Sequence, residues 1–446
     1  MNKALKVRLY PTKSQEQLML QTFGCCRLVF NAHLQERNEF YIKEILPLKS
    51  ANASQKEIND KYKQLKYSDL KVKYPFLKDA EACVLQQATR DCDTAFMNFF
   101  KSNKGQIAGE KRGFPKFRSR KSSIQSYRTV QPSKKALNLT NMTVKLPKIG
   151  NVKFANKCHH KWFLESKNAR EIKSITVSKS ASNRYYASIL YEMLDKVVLL
   201  KSEKQVIGLD FSPAEFYVDS EGKSGLDYGY RAQKKAAKKK LTKLQRCFAK
   251  KKTLKKVCDD GVIRKISSNN REKARIKLAR CEEQIANRRR DFIEKESLRL
   301  VKTYDKVVVE DLNLKGISKF LSNAHNMNDT SWATFVSRLQ MKGKDYGCNI
   351  VKADRWFPSS QLCHVCHYQK HNLKLSDRSW TCPKCGTHHI RDVNAAINLR
   401  NYVPQELRDS RSVEVVESLA TRALFISEAE LEHPMKQKRY VVRRAK

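Results

Sequence analysis

Three acidic residues and four cysteines are the residues of this chain best placed to do chemistry. Asp210 closes the apolar run Val206-Ile207-Gly208-Leu209, Glu310 closes Val307-Val308-Val309, and Asp392 heads Val393-Asn394-Ala395-Ala396. Short runs rich in β-branched residues read as buried strands, and in an α/β sheet the carboxyl ends of neighbouring strands meet at one crevice. Asp392 stands where a helix should begin, and is expected to cap it towards Ala396 and to face the same crevice. Three carboxylates packed together repel, and divalent cations relieve that repulsion. Two Mg²⁺ ions about 3.5–4 Å apart can activate water and stabilise the leaving oxygen of a phosphodiester. Asp210, Glu310 and Asp392 are therefore the expected catalytic and magnesium-binding residues. Taken singly each has a plainer reading: strand-end turn residues for Asp210 and Glu310, with Asp311 an equally acidic neighbour, and a helix cap for Asp392. No Walker A loop and no His-Glu-x-x-His run occurs, which argues against NTP hydrolysis and zinc-protease chemistry.

The cysteines form two pairs, Cys363-x-x-Cys366 and Cys382-x-x-Cys385, separated by fifteen residues. That is zinc-ribbon spacing, in which two knuckles offer four thiolates to one tetrahedral ion. Pro383 and Gly386 suit the tight turn of the second knuckle. Four thiolates leave no position open for a substrate, so the zinc is expected to be structural.

The elements that must position these groups sit in a chain of 446 residues, long enough for two to four domains. Lys and Arg number 90 against 45 acidic residues, a formal charge of +45. Self-repulsion on that scale calls for a polyanion, and nucleic acid fits because each neutralised phosphate releases counterions. A membrane partner is not expected: no apolar run approaches the ~18 residues of a span, and the start has no secretory apolar region. Nine of the 13 cysteines lie outside the ribbon without framework spacing, as expected in a reducing cytosol. A cytoplasmic, nucleoid-associated protein is the expectation.

Ala4 to Tyr10 alternates like a strand, and Pro11-Thr12-Lys13-Ser14 can start a helix carrying Leu18, Phe23, Cys26 and Phe30. Helical spacing continues to about residue 103, clearest at Leu85, Ala88, Cys92, Phe96 and Phe99. Short strands follow at 143–146, 172–177 and 185–191, in the pattern of a small β-barrel. From residue 204 come a buried strand, a hairpin over 216–222 and its next strand, a basic helix over 231–257, a loop over 258–270 and a helix over 271–300. A strand over 306–312, a helix from Trp332, a strand over 348–352 and a short helix over 393–401 complete the pattern. Beyond it lie a possible amphipathic stretch, Val413 to Phe425, and a basic terminus, Lys436 to Lys446.

Two basic segments could grip nucleic acid. The loop 111–118 interleaves Lys111, Arg112 and Lys116 with Phe114 and Phe117, a mixture that can stack bases or hold a backbone. Residues 231–257 hold thirteen Lys or Arg and no acid, among them Lys238, Lys239, Lys243 and Arg246. Such a run is either a solvated helix face or a polyanion track.

Gly208-Leu209-Asp210, Val308-Val309-Glu310-Asp311-Leu312-Asn313, Trp356-Phe357-Pro358-Ser359-Ser360-Gln361, the two cysteine pairs with Trp380-Thr381-Cys382-Pro383, and Arg391-Asp392-Val393-Asn394-Ala395-Ala396 closely resemble TnpB. TnpB proteins are RNA-guided nucleases of bacterial and archaeal insertion sequences, related to type V CRISPR effectors. The likeness extends upstream through Arg8 to Pro11, Lys111 to Phe117, Ser126 to Thr129 and Lys145 to Lys148, and reaches about residue 402. Phe211-Ser212 and Ile390 depart from the usual pattern without removing a carboxylate.

The resemblance implies an α/β plus β-barrel multidomain protein. Its parts would be a wedge-type barrel at 1–11 and 113–202, interrupted by a helical recognition lobe at 12–112. A RuvC-like nuclease domain with an RNase H fold would span 203–360 and 387–402, with the zinc ribbon at 361–386 inserted and a tail at 403–446. The activity implied is a Mg²⁺-dependent RNA-guided DNA endonuclease, cutting with Asp210, Glu310 and Asp392. Its partners would be a guide RNA from the transposon 3′ end and double-stranded target DNA beside a short transposon-adjacent motif; the sequence does not give the oligomeric state, and a monomer is favoured. Gln86 and Tyr127-Arg128-Thr129 fall where such proteins contact nucleic acid. Two other functions stay open: a non-cleaving RNA-guided DNA-binding regulator, and a DNA transposase that joins strands.

Overall fold

The computed structural model describes residues 2–403 apart from 64–68, 108–110, 123–124, 131, 133–135, 139–140, 156–168, 194–200, 202–203, 214, 226–229, 258–262, 313–330 and 375. The expectations for the tail, including 413–425 and 436–446, lie outside the described residues. The chain divides into two compact units, Met1–Val197 with Lys234–Arg288, and Val198–Gln233 with Arg289–Lys446. Residues 234–288, expected in the nuclease domain, pack with the first unit.

The first unit is built on strands β1 (Asn2–Tyr10), β2 (Gln125–Val130), β3 (Leu137–Asn138), β4 (Thr143–Leu146), β5 (Gly150–Phe154), β6 (Ala169–Lys179) and β7 (Tyr185–Met193). They form one antiparallel sheet in the order β2-β6-β7-β1-β5-β4-β3. Alternation turns Val7 and Leu9 of β1 inward, and the register pairs Val7 with Ala187 and Leu9 with Phe154. Among the described residues β2 and β3 are unpaired edges, which corrects the expectation of a closed barrel. The inner face is covered by two helices, Lys13–Phe40 and Ala82–Asn103, whose Met19, Phe23, Cys26, Val84 and Leu85 share one core with Val144, Ile175 and Ile189. Thr12 and Gln15 form the capping box of the first helix, satisfying two of its orphan amides.

In the same unit the basic helix Tyr230–Ala249 ends earlier than expected, and strands β10 (Thr253–Val257) and β11 (Ile263–Ser267) pair antiparallel. A continuous helix and then a loop were expected there. Neither Leu254-Lys255-Lys256-Val257 nor Ile263-Arg264-Lys265-Ile266 alternates with the period of a strand, and their Lys and Arg residues continue the composition of the basic helix. Glu283, on the helix Asn269–Thr303, accepts hydrogen bonds from Ser182 (2.6 Å), Arg184 (3.1 Å) and Tyr186, fastening the β6–β7 turn.

The second unit contains a four-stranded sheet in the order β13-β12-β8-β9, with β8 (Val206–Ser212), β9 (Phe216–Asp219), β12 (Lys306–Glu310) and β13 (Asn349–Ala353). β8, β12 and β13 run parallel, and β9 is an antiparallel edge paired to β8. β9 pairs with β8, and after the turn 220–222 the described residues show a Val218–Ser224 bridge. Odd-numbered residues of the central strands, Ile207, Leu209, Val307 and Val309, face a core with Leu300, Trp332, Phe335 and Leu339. Those partners come from the helices Asn269–Thr303 and Trp332–Tyr346. Val308 and Ala353 face the other way and pack on Leu399 of the helix Arg391–Arg400. Burial on both faces explains the uninterrupted valines of β12. Lys201 hydrogen bonds the carbonyls of Val301, Lys302 and Tyr304 (3.0–3.2 Å), capping the end of the long helix just before β12 starts.

Candidate active site and zinc ribbon

Strand parity brings the carboxylates together. Asp210 lies two residues after Gly208, and Glu310 two after Val308, so both fall on the sheet face covered by the helix Arg391–Arg400. The parallel register pairs Val309 with Leu209, and its next step sets Glu310 beside Asp210. Gly208 lets the helix backbone touch the strand: a Cβ there would stand 2.0 Å from the Ala396 carbonyl oxygen. Asp392 occupies the first turn of that helix, one turn before Ala396. The helix N-cap is Ile390, so Asp392 is a first-turn acid and not the cap.

The three carboxylates feel one another. Burial, followed by the negative charges of Glu310 and Asp392, raises Asp210 well above the ordinary carboxylate range, with Arg391 opposing. Glu310 is raised chiefly by burial, with Asp392 adding to it, while the Ser359 hydrogen bond and Arg391 pull it down. Arg378 reaches to 3.6 Å from the Asp392 carboxylate. Asp311, the competing acid, is bound instead by Lys352 (3.4 Å) and Arg355 (3.2 Å). Oxygen ligands carrying this much mutual repulsion suit a hard divalent cation such as Mg²⁺.

Some supporting residues carried no role in the sequence reading. Ser359 donates to Glu310 (2.6 Å). Asn398 donates to the carbonyls of Ser359 (2.8 Å) and Leu362 (2.6 Å), and Asn394 to Leu362 (2.7 Å). Asn394 and Asn398 are buried one turn apart on the Asp392 helix. That pair was the available signal, because a buried amide at i and i+4 must find partners. Together they fasten the segment 359–362, and with it Glu310, to the helix that carries Asp392.

The four cysteine sulfurs all lie within 4.8 Å of one another. Cys363 and Cys385 are 3.7 Å apart, and Cys366 and Cys382 3.5 Å apart. Tetrahedral zinc with Zn–S bonds near 2.3 Å requires sulfur separations of about 3.8 Å, so the set fits the ion. The knuckles repeat one design. His367 N–H donates to the Cys363 carbonyl and Gly386 N–H to that of Cys382, both residues at positive φ, 59° and 72°. The Thr387 hydroxyl and amide hold the Cys385 thiol down at about 6, ready to bind a metal. His389 is buried, its Nε2 3.2 Å from Cys363 Sγ and its ring beside Trp380. β14 (Ser379–Thr381) pairs with β15 (His388–Ile390), which runs directly into the helix bearing Asp392.

The nucleic-acid candidates belong to the first unit. Lys238, Lys239, Lys243 and Arg246 line an open groove of about 770 Å³ with Thr242, Cys247 and Lys250. Arg112 lines a second of about 470 Å³ with Asp91 and Arg118, near exposed Lys111 and Lys116. Phe114 is half exposed, its ring edge-on to Phe96 and Phe99. Gln86 is exposed on its helix. Alternation along β2 buries Tyr127 and Thr129 and turns Arg128 out, where it reaches Gln87 (3.2 Å). Arg128 is thus the residue of this segment that faces outward.

Three family models match: a helix-turn-helix domain of IS605 OrfB proteins over residues 1–45, IS605 OrfB, described as "Probable transposase", over 188–321, and the Cas12f1-like TNB domain over 332–399. Within the first match the fold shows strand β1 and one long helix. A Streptomyces pristinaespiralis protein, provisionally named an RNA-guided DNA endonuclease, is 32% identical over 89% of this chain and 88% of its own. Escherichia coli InsQ, provisionally named in the same way, is 26% identical over 89% of this chain and 91% of its own. The fold is similar to that of Cas12f1 in its complex with guide RNA and target DNA (TM-score 0.50, 12% identity, 90% of this chain and 99% of the other). The identity, coverage and matched motifs together establish that this chain belongs to the TnpB family of IS605 OrfB proteins.

Proposed function

We propose that this protein is an RNA-guided DNA endonuclease that cuts target DNA with one RuvC-type site. The observation that carries the reading is the convergence of Asp210, Glu310 and Asp392 on one sheet face, close enough for their charges to raise Asp210 and Glu310. In this reading the trio holds Mg²⁺, which when bound supplies Lewis-acid stabilisation of the phosphodiester and an activated water. Asp210 and Glu310 present their carboxylates from adjacent parallel strands, and Asp392 closes the set from the helix. Ser359 fixes the rotation of Glu310. Arg391 and Arg378 limit the repulsion around Asp392. The zinc ribbon, fused through β15 to that helix, keeps its first turn in place.

Specificity in this reading is carried by base pairing between a guide RNA from the transposon 3′ end and target DNA beside a short motif. The Lys238 to Lys250 groove supplies phosphate contacts, which position nucleic acid without reading its sequence. The intact trio favours cutting over a non-cleaving regulator. The test is a Mg²⁺-dependent cleavage assay with purified protein and RNA. Asp210→Ala, Glu310→Ala and Asp392→Ala are each expected to abolish cutting while retaining DNA binding. Wild-type cutting by Asp210→Ala would end the assignment.

A further inference from the structure

Trp356 is 86% exposed. Tryptophan buries more apolar surface than any other side chain and is ordinarily well covered, so an indole left in water needs a reason. The backbone on either side of this residue is fastened. The backbone N–H of Trp356 donates to the Asp354 carboxylate (2.8 Å), and the Tyr402 hydroxyl accepts from the Asp354 N–H (3.1 Å). Phe357 packs edge-on against Tyr402, with ring centroids 4.9 Å apart. Two residues further on, Ser359 is bonded to Glu310 and to Asn398. The loop thus begins at the end of β13, shows one large flat ring to solvent, and ends on a carboxylate of the candidate active site.

An exposed aromatic on an anchored backbone suits a base face. Stacking is indifferent to base identity, and it requires an unpaired base, because in a duplex both faces of a base are already covered. We propose that Trp356 is a stacking platform for an unpaired base of the DNA strand entering the carboxylate site. The proposal rests on the reading that those carboxylates cut DNA, but its test does not.

The experiment measures binding of a short single-stranded oligodeoxynucleotide, about eight residues long, to the full-length zinc-loaded protein at physiological salt without added Mg²⁺, so that nothing is cut. Alanine substitution of a stacking aromatic costs about 1–3 kcal/mol per base, so Trp356→Ala should bind about fivefold more weakly or worse. Trp356→Phe should retain most of the affinity, and neither change should alter binding of a duplex of the same sequence. Because the side chain is exposed, both variants should melt with the wild type. Single-strand affinity unchanged in Trp356→Ala would overturn the proposal, as would an equal loss for single strand and duplex. If the wild type fails to cut under guidance, the functional reading falls while this comparison still decides the role of Trp356.

Discussion

Gly208 and Ala396 are in backbone contact: a Cβ on Gly208 would lie 2.0 Å from the Ala396 carbonyl oxygen and 2.5 Å from the Arg400 amide nitrogen. Neither partner atom belongs to a flexible side chain, so the helix would have to move, and Asp392 moves with it. Gly208→Ala should therefore lower stability by about 1–3 kcal/mol or more, as overpacking does, and should sharply reduce cleavage. Gly113→Ala, where a Cβ meets nothing within 4 Å, is the control for stability. Thermal melting of both variants, with cleavage rates for Gly208→Ala, checks this.

The crowding of carboxylates has a sign that can be measured without metal. Asp210 is raised in the folded protein relative to the unfolded chain. Between the two values the folded state keeps a proton that the unfolded state has lost, so metal-free stability falls as pH rises through that window. Without added Mg²⁺ at neutral pH, Asp210→Asn should melt at a higher temperature than wild type, and the gap should close on acidification. Calorimetry at two pH values reads it directly. A variant less stable than wild type at neutral pH would contradict a penalty on ionised Asp210 from burial and from its neighbouring carboxylates.

Asn398→Ala leaves the buried carbonyls of Ser359 and Leu362 without this donor. The expected cost is about 1–3 kcal/mol of stability. Because Ser359 holds Glu310, cleavage should fall further than stability alone explains, and Ser359→Ala should lower cleavage with little change in melting. Comparing kcat/KM with melting temperature for the two variants separates orientation from folding.

One zinc per chain is expected by elemental analysis, and Cys363→Ser should lose it. Since β15 continues into the Asp392 helix, loss of zinc should loosen that helix and expose it to protease. Limited proteolysis of the Cys363→Ser protein, or of wild type after chelation, reads this out. A helix equally protected without zinc would separate the ribbon from the site.

Much of this was legible in the sequence because the decisive elements obey local rules. The valines of β12, the Thr12 capping box and the paired cysteine spacing each point to one structure. The parity of Gly208 with Asp210 was visible in the string, but the close helix approach that makes Gly208 necessary was not. The β10–β11 hairpin was hidden because its Lys and Arg residues look like the basic helix before it. Barrel closure was inferred from strand spacing, which cannot reveal that two helices fill the inner face. Asn394 and Asn398 acquire their meaning only from the carbonyls they meet, which lie more than thirty residues away in sequence.

The central claim is guidance, and binding cannot test it, because a chain of charge +45 holds any nucleic acid at low salt. The direct measurement exchanges the guide segment of the RNA encoded at the transposon 3′ end and maps cuts on DNA carrying both targets, with Mg²⁺ at physiological salt. Cuts should move to the new matching target beside the same adjacent motif, and mismatches next to the motif should impair them most. Cuts that stay at the old site, or that appear without RNA, would contradict the account.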